Sequence, residues 1–474
     1  MDILDVNINK NATIEEMEID LIRDAVEQSE KIKEMMMTQT NDIKKIISIV
    51  EKFIKQKKLI CYGGTAINNI LPKKYRFYGK NDMPDYDVYS KTPLEDSKEL
   101  ADLYAKEGLT NIEVRTSIHK GTYKVGVNFI DIADITYMDE TTYGNIQKEL
   151  VIIDDFHYAP VNYLRMAMYK ELARPNGDIS RWEKVFTRLN LLNHSFPMRE
   201  KQCDKLEFKD DLYTEEILSA IELIKDTLIT HKSVFIGEYA ATLYGKYMSK
   251  EHKNQIKNGT YYVEILTDDA KSDVKMLKEK LEKKGYTKVK IHSREPIGKI
   301  IETHYELTVN ERTACILYQS EGCYNFNTIQ HNKKKIKVAT IDTMLTFLLA
   351  AMYTGREYYN NDKLLCIATY IFLIQIKNRL AKRGLTKRFT LDCIGHEKTL
   401  LERRQEKVKK YKLLKKDRTS DEFKELFFKY NPNEEKEMKE LLKQEKKKNK
   451  SVKMLDKIKS IVKKKNKTAK KKKN

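Results

Sequence analysis

The chain has 474 residues, 41% hydrophobic and 34% charged, with a mean hydropathy of −0.63 and a formal net charge of +20. That length suits two or three domains. No apolar run is long enough to span a bilayer, and Met1-Asp2-Ile3-Leu4-Asp5 lacks the basic and apolar regions of a signal peptide, so no membrane association is expected and the protein should stay where it is made.

The charge is unevenly placed. Residues 445–474 hold 15 lysines against Glu445 and Asp456, which is +13 of the total, so the other 444 residues carry only +7. The body is mildly basic and the strongest pull on a polyanion sits at the C-terminal end. The six cysteines, at 61, 203, 315, 323, 366 and 393, show neither a CxxC spacing nor a zinc-type Cys/His cluster, which points to a reducing, cytosol-like compartment.

In chain order, residues 12–55 show helical periodicity, from Ile14 and Met17 to Ile47, Val50 and Ile54, and read as two packing helices. The apolar run Leu59-Ile60-Cys61-Tyr62 then enters Gly63-Gly64 and a short helix, Thr65 to Leu71, stopped by Pro72. Paired glycines let backbone approach a ligand, and N–H groups opening a helix favour a phosphate. In the strand-like Asp85-Tyr86-Asp87-Val88-Tyr89, two carboxylates at i, i+2 leave one face and can share divalent metals. A helix over Pro93 to Glu107 and strands over 111–114, 122–128 and 130–137 follow, then helices from Pro160 to Leu172 and Ile179 to Leu192. The pairs Asp154-Asp155 and Asp210-Asp211 read as loops.

The second half repeats the first. Val234 to Ala241 resembles Ile60 to Ile67, with Gly237 at Gly63 and Glu238 at Gly64. Tyr262 to Thr267 falls opposite Asp85 to Ser90, Ala314 to Tyr318 opposite Ala133 to Tyr137, and Ala339 to Met344 opposite Ala159 to Leu164, at offsets of 174, 177, 181 and 180. The copy has lost its acids: Tyr262 stands for Asp85 and Cys315 for Asp134, while Glu264 alone keeps the charge of Asp87. It reads as a structural or RNA-contacting unit. The expected organisation is an α/β (α+β) protein. An N-terminal helical region (1–55) precedes a domain with a mixed β-sheet that carries the glycine turn and the acid pair (56–200). A degenerate copy (201–395) and a charged, Lys-rich tail, partly helical and then disordered (396–474), complete it.

Two-metal nucleotidyl transfer needs a third carboxylate from a neighbouring strand, and Asp131 and Asp134 are the candidates. Three apart on a regular strand, they face opposite sides, and the repeat favours Asp134 because Ala-Asp-Ile-Thr-Tyr matches Ala-Cys-Ile-Leu-Tyr. Arg165, Lys170 and Lys184, on the helices after the sheet, are candidates for phosphate or base contacts, and Tyr62 for either base stacking or the core. His119 and His157 show no metal spacing.

Gly63-Gly64-Thr65-Ala66, Pro84-Asp85-Tyr86-Asp87-Val88 and Ala133-Asp134-Ile135 resemble the signature of the DNA polymerase β-like nucleotidyltransferases. The layout over about residues 10–395 resembles the poly(A) polymerase catalytic subunits of large cytoplasmic DNA viruses, of poxvirus and giant-virus type. The resemblance implies template-independent addition of AMP from ATP to an RNA 3′ end in viral mRNA polyadenylation, in the host cytoplasm (the viral factory) or packaged in the virion. Carried over, Gly63, Gly64 and Thr65 hold the triphosphate, and Asp85, Asp87 and Asp134 hold Mg2+ or Mn2+. Relatives suggest a homodimer or a cap-methyltransferase partner. The alternatives are a uridylyl- or CCA-adding enzyme and a non-catalytic RNA-binding processivity subunit.

Overall fold

The computed structural model describes residues 41–434 apart from 80–81, 200–202, 207, 209–212, 260–261 and 299, together with residues 18, 21, 22 and 25. Most of the first expected helix, the pair Asp210-Asp211 and the Lys-rich stretch from 435 onward lie outside the described residues.

Helix α1 (Asn41–Lys57) turns Ile43, Ile46, Val50, Phe53 and Ile54 to one face and buries them, the face that its 3.6-residue periodicity dictates. The chain then builds β1 (Ile60–Tyr62), α2 (Gly63–Ile70), β2 (Tyr86–Ser90), α3 (Pro93–Lys106), β3 (Ile112–Thr116), β4 (Thr122–Val127), β5 (Ile130–Tyr137), α4 (Glu140–Gln147), β6 (Val151–Ile153), β7 (Phe156–Tyr158), α5 (Val161–Leu172) and α6 (Trp182–Ser195). Helix α3 starts with Pro93 and puts Glu95 and Asp96 in its first turn and Lys106 in its last, each favourable to the helix dipole.

The second half runs α7 (Glu215–Thr230), β8 (Val234–Ile236), α8 (Gly237–Leu243), α9 (Lys250–Gly259), β9 (Val263–Thr267), α10 (Ala270–Lys283), β10 (Val289–Arg294), β11 (His304–Val309), β12 (Arg312–Gln319), β13 (Tyr324–His331), β14 (Lys334–Ala339), α11 (Ile341–Ala351), α12 (Asn361–Lys377) and β15 (Cys393–Ile394). Helices α13 (Leu400–Leu414) and α14 (Asp421–Phe427) and strand β16 (Lys429–Tyr430) close the described chain.

Two mixed sheets result, ordered β16-β3-β4-β5-β2-β1-β7-β6 and β10-β11-β12-β9-β8-β14-β13-β15. Shifting each strand number from β1 to β7 by seven converts the inner order of the first into that of the second. The sense of pairing matches too: β1 and β8 run antiparallel to β2 and β9, and β2 and β9 run parallel to β5 and β12. The repeat seen in the residues is therefore a repeat of topology.

Four details differ from the sequence-based expectation. Asp154 and Asp155, at φ of 50° and 65°, fall in a turn as expected, but the turn joins the β6–β7 hairpin, whose three-residue strands are too short to carry a periodic signal. Residues 400–430 are not tail: β16 pairs with the edge strand β3, Lys429 opposite Arg115 and Tyr430 opposite Val114, and Tyr430 Oη donates to Asp102 at 2.6 Å. Four of the six cysteines are paired, Cys203 with Cys366 and Cys323 with Cys393, leaving Cys61 and Cys315 as buried thiols. Partners 163 and 70 residues apart leave no trace in local spacing. Finally, register puts Ile316, not Cys315, opposite Glu264, just as Asp134 lies opposite Asp87. Gln319, on the same face as Cys315, accepts from the first N–H of α10, so Cys315 faces that helix and not the cleft.

The halves meet through equivalent helices, α5 against α11. Tyr163 packs edge-on to Tyr353 at 5.4 Å, Tyr169 Oη donates to Gln375 Oε1 at 2.9 Å, and Asn325 N donates to Ala173 O at 2.9 Å. Beneath this contact Asp342, fully buried in the first turn of α11, receives Arg388 Nε at 2.9 Å and Nη2 at 2.5 Å. Removing one partner of such a pair strands a buried charge. Arg388→Met is therefore expected to cost about 3–5 kcal/mol in denaturant unfolding. The double change with Asp342→Leu should cost much less; a single-variant loss below ~1 kcal/mol would contradict this role.

Candidate active site

Strand β1 delivers the chain to Gly63, which opens α2 at φ +72°. β1 and β2 pair Tyr62 with Asp87, and a Cβ on residue 63 would overlap Asp87 Oδ2. Glycine is required here both by the left-handed backbone and by the carboxylate beneath it. A Cβ on Gly64 would come within 2.5 Å of Tyr78 Oη and 2.8 Å of Arg188 Nη1. Both groups are held there. Asn68 of α2 accepts from the N–H groups of Phe77 and Tyr78 at 2.9 Å, Arg188 Nη2 donates to Tyr78 Oη at 3.0 Å, and its guanidinium lies 4.6 Å over Phe77. The glycine turn is thus roofed by an arginine. Thr65 is buried and donates to Asp85 O at 2.6 Å, which fixes the start of β2 relative to α2 and commits its hydroxyl to backbone.

Asp85, Asp87 and Asp134 share one face. Asp87 and Asp134 are direct neighbours on parallel strands, and Asp85 lies two residues before Asp87. Burial, then the charges of Asp85 and Asp134, push the Asp87 carboxyl up to about 8, with Lys124 and Arg181 acting in the other direction. Asp85 keeps solvent-exposed surface, yet it too is raised, by partial loss of water and by Asp134, while Lys124 and Lys184 lower it. Lys124 on β4 stands opposite Asp134 and reaches both its oxygens at 2.8 Å.

Asp131 is on the same side, contrary to regular alternation. A β-bulge between Val125 and Gly126 sets Asp131 opposite Gly126 and Asp134 opposite Lys124, two positions apart on β4. What separates the two acids is pairing: Arg115 holds Asp131 through bonds of 2.8 and 3.0 Å and keeps its carboxyl below the usual range.

The other expected contacts divide. Lys184 on α6 acts on Asp85, as noted. Arg165 is instead 1% exposed and bonded to Asn193 Oδ1 at 2.7 Å, to Asn162 and to Phe196 O; it ties α5 to α6 inside the protein. Lys170 is turned to the second half, 3.6 Å from Glu302. Tyr62 stacks on Tyr89 at 3.9 Å and bonds to Thr136, so it belongs to the packing. Lys124, Tyr78, Arg181 and Arg188 escaped sequence reasoning, since each reaches the acids or the glycine turn from a different element. The one available signal was the Tyr75-Arg76-Phe77-Tyr78 cluster after Pro72.

The corresponding cleft of the second half is filled. Glu264 lies beneath Gly237 as Asp87 lies beneath Gly63, but it accepts from Tyr318 at 3.2 Å and Tyr359 at 3.1 Å. Glu238, in the place of Gly64, is buried against Lys363 at 2.7 Å. Its polar groups are satisfied by one another.

Residues 48–178 match the family model for the poly(A) polymerase catalytic subunit. The matched segment is similar to that family. It contains the glycine turn and all three clustered aspartates. A protein of Acanthamoeba polyphaga mimivirus described as a poly(A) polymerase catalytic subunit is 25% identical over 289 residues, covering 56% of this chain and 48% of the relative. One from African swine fever virus is 32% identical over 164 residues, covering 33% and 34%. The aligned regions thus span about half and a third of those relatives. The crystal structure of the Megavirus polyadenylate synthase shares the fold across the chain, with a TM-score of 0.73 at 18% identity, covering 92% of this chain and 88% of that one.

As a donor set, three clustered aspartates, one of them pushed up by burial and by its neighbours' charge, suit a hard divalent cation that would relieve their repulsion. Among the described residues no three acidic, His or Cys side chains stand arranged to hold one. Metal-free folding should therefore carry a recognisable pH dependence. A carboxyl raised to about 8 gives the folded state a proton that the unfolded state has lost above ~4, so stability falls as pH rises through that window. Thermal unfolding in chelator should show this fall, and Asp87→Asn should stabilise the protein at pH 8 by roughly 1–3 kcal/mol while flattening the slope. The flattening is partial, because Glu264, raised to about 7 by burial and Glu238, acts in the same window. An Asp87→Asn profile parallel to wild type would contradict the assignment.

Proposed function

We propose that the chain is a template-independent polynucleotide adenylyltransferase that adds AMP from ATP to RNA 3′ ends. The observation that carries this reading is the convergence of Asp85, Asp87 and Asp134 on one sheet face beside the glycine turn that opens α2, all inside the family segment.

The residues divide the work. The N–H groups at the start of α2 and the cations of Arg188, Lys184 and Arg181 oppose the triphosphate charge, Arg188 being pre-positioned over Gly64. Asp85, Asp87 and Asp134 would hold Mg2+ or Mn2+, which when bound lowers the pKa of the attacking hydroxyl and offsets charge on the leaving group. The RNA 3′-oxygen bonds to the α-phosphorus of ATP, the α–β anhydride bond breaks, pyrophosphate leaves and the hydroxyl proton passes to solvent. Adenine as the base, and RNA as the acceptor, are supported by the descriptions of the viral relatives. With its own cleft filled, the second half is left a scaffolding or RNA-contacting role.

A primer-extension assay with each nucleoside triphosphate supplied alone tests this directly. ATP should be incorporated and UTP and CTP should not. Asp85→Ala and Asp87→Ala should each reduce incorporation by roughly 10²–10³-fold or more with RNA binding retained. Equal use of UTP or CTP would favour a uridylyl- or CCA-adding enzyme, and RNA binding without incorporation of any nucleotide a non-catalytic subunit.

A further inference from the structure

Among the described residues Lys124 is the group that engages the third carboxylate, and it has somewhere else to go. Its ammonium lies 2.8 Å from both oxygens of Asp134 and 3.6 Å from Asp131 Oδ2. The bulge at Val125/Gly126 places this second acceptor on the same face, and Gly126 leaves room for it, since a Cβ there would stand 3.4 Å from Asp131 Oδ1. Arg115 fixes Asp131 through both of its oxygens, so the alternative acceptor does not need to move to receive the lysine. Lys124 is also partly exposed, with 28% of its side chain accessible, and a flexible four-carbon stem can shift between two acceptors on one face.

We propose that Lys124 is a resident counter-ion: it neutralises Asp134 while the site is free of metal and transfers to Asp131 when a divalent cation takes the Asp134 oxygens. The inference rests on the reading of Asp85, Asp87 and Asp134 as the metal-holding set. An ammonium and a divalent cation repel each other strongly on one carboxylate, so the lysine must yield for all three aspartates to act together. The second half, whose cleft is filled, lacks the device. Register puts Glu306 at the position of Lys124 and Ile316 at that of Asp134, and Glu306 is held by Arg294 at 2.5 Å. The lysine–aspartate pair thus occurs with the open acid cluster and is absent beside the closed one.

Binding of Mn2+ to the full-length chain, followed by loss of the free-ion paramagnetic resonance signal, provides the test without reference to turnover. Lys124→Met should bind Mn2+ roughly tenfold more tightly than wild type, because the competing cation is gone. Asp131→Asn should bind several-fold more weakly, because the displaced lysine loses its second acceptor. Unchanged or weaker binding by a folded Lys124→Met, or unchanged binding by Asp131→Asn, would overturn the proposal. Asp134→Asn separates the two levels of inference. If it binds Mn2+ as wild type does, the metal-holding role of Asp134 itself fails; if it loses Mn2+ while Lys124→Met gains nothing, only the counter-ion role fails.

Discussion

The constraint on which the site depends is steric: a carboxylate occupies the volume where residue 63 would carry its Cβ. Because Tyr62 pairs with Asp87 and Gly63 turns at φ +72°, the first turn of α2 sits directly over the acid of β2. That contact fixes the angle between strand and helix and brings the N–H groups of α2 beside the carboxylates. It also creates the electrostatic problem of the site. Asp87, buried under the turn and flanked by Asp85 and Asp134, is pushed toward its protonated form; Lys124 from β4 and Arg181 from the segment leading into α6 oppose that shift, and Lys184 of α6 does the same for Asp85.

The second half keeps the constraint and discards the chemistry. Gly237 turns at φ +64° over Glu264 in the same pairing geometry, so the contact belongs to the architecture and does not require an active site. What differs is what fills the space around it. Tyr318, Tyr359 and Lys363 satisfy the acids internally, whereas in the first half Asp85 keeps exposed surface and Arg188 stands over a glycine with no side chain to meet it. An open, charge-rich cleft and a closed, self-satisfied one thus stand on the same topology.

The parts of this arrangement legible in the sequence were those carried by short-range spacing or by ordered repetition. Gly63-Gly64 open α2 and Asp85-x-Asp87 straddle the start of β2, so local geometry alone orients them. The repeat disclosed the shared topology because matched segments kept their order at nearly constant offset. Strand alternation does not separate Asp134 from Asp131: the bulge at Val125/Gly126 puts Asp131 on the same face, and what sets it apart is its bond to Arg115 from β3. Register also moved the eroded counterpart from Cys315 to Ile316, a one-residue shift that similarity of side chains cannot detect. Arg165 and Lys170 looked like phosphate contacts because a helix sequence gives the spacing of its cations but not the neighbour each face meets; one proved internal and the other faces Glu302. Arg188 and Tyr78 were invisible for the converse reason, since they become neighbours only when α6 and the 73–78 segment close over Gly64.

The central claim is that one cleft of the two works on nucleotide. Equilibrium titration of the chain with ATP in the presence of Mg2+ measures this most directly. One site per chain is expected, lost on Asp87→Ala and retained on Glu264→Gln; a stoichiometry of two, or binding that survives Asp87→Ala but fails with Glu264→Gln, would contradict a single working cleft.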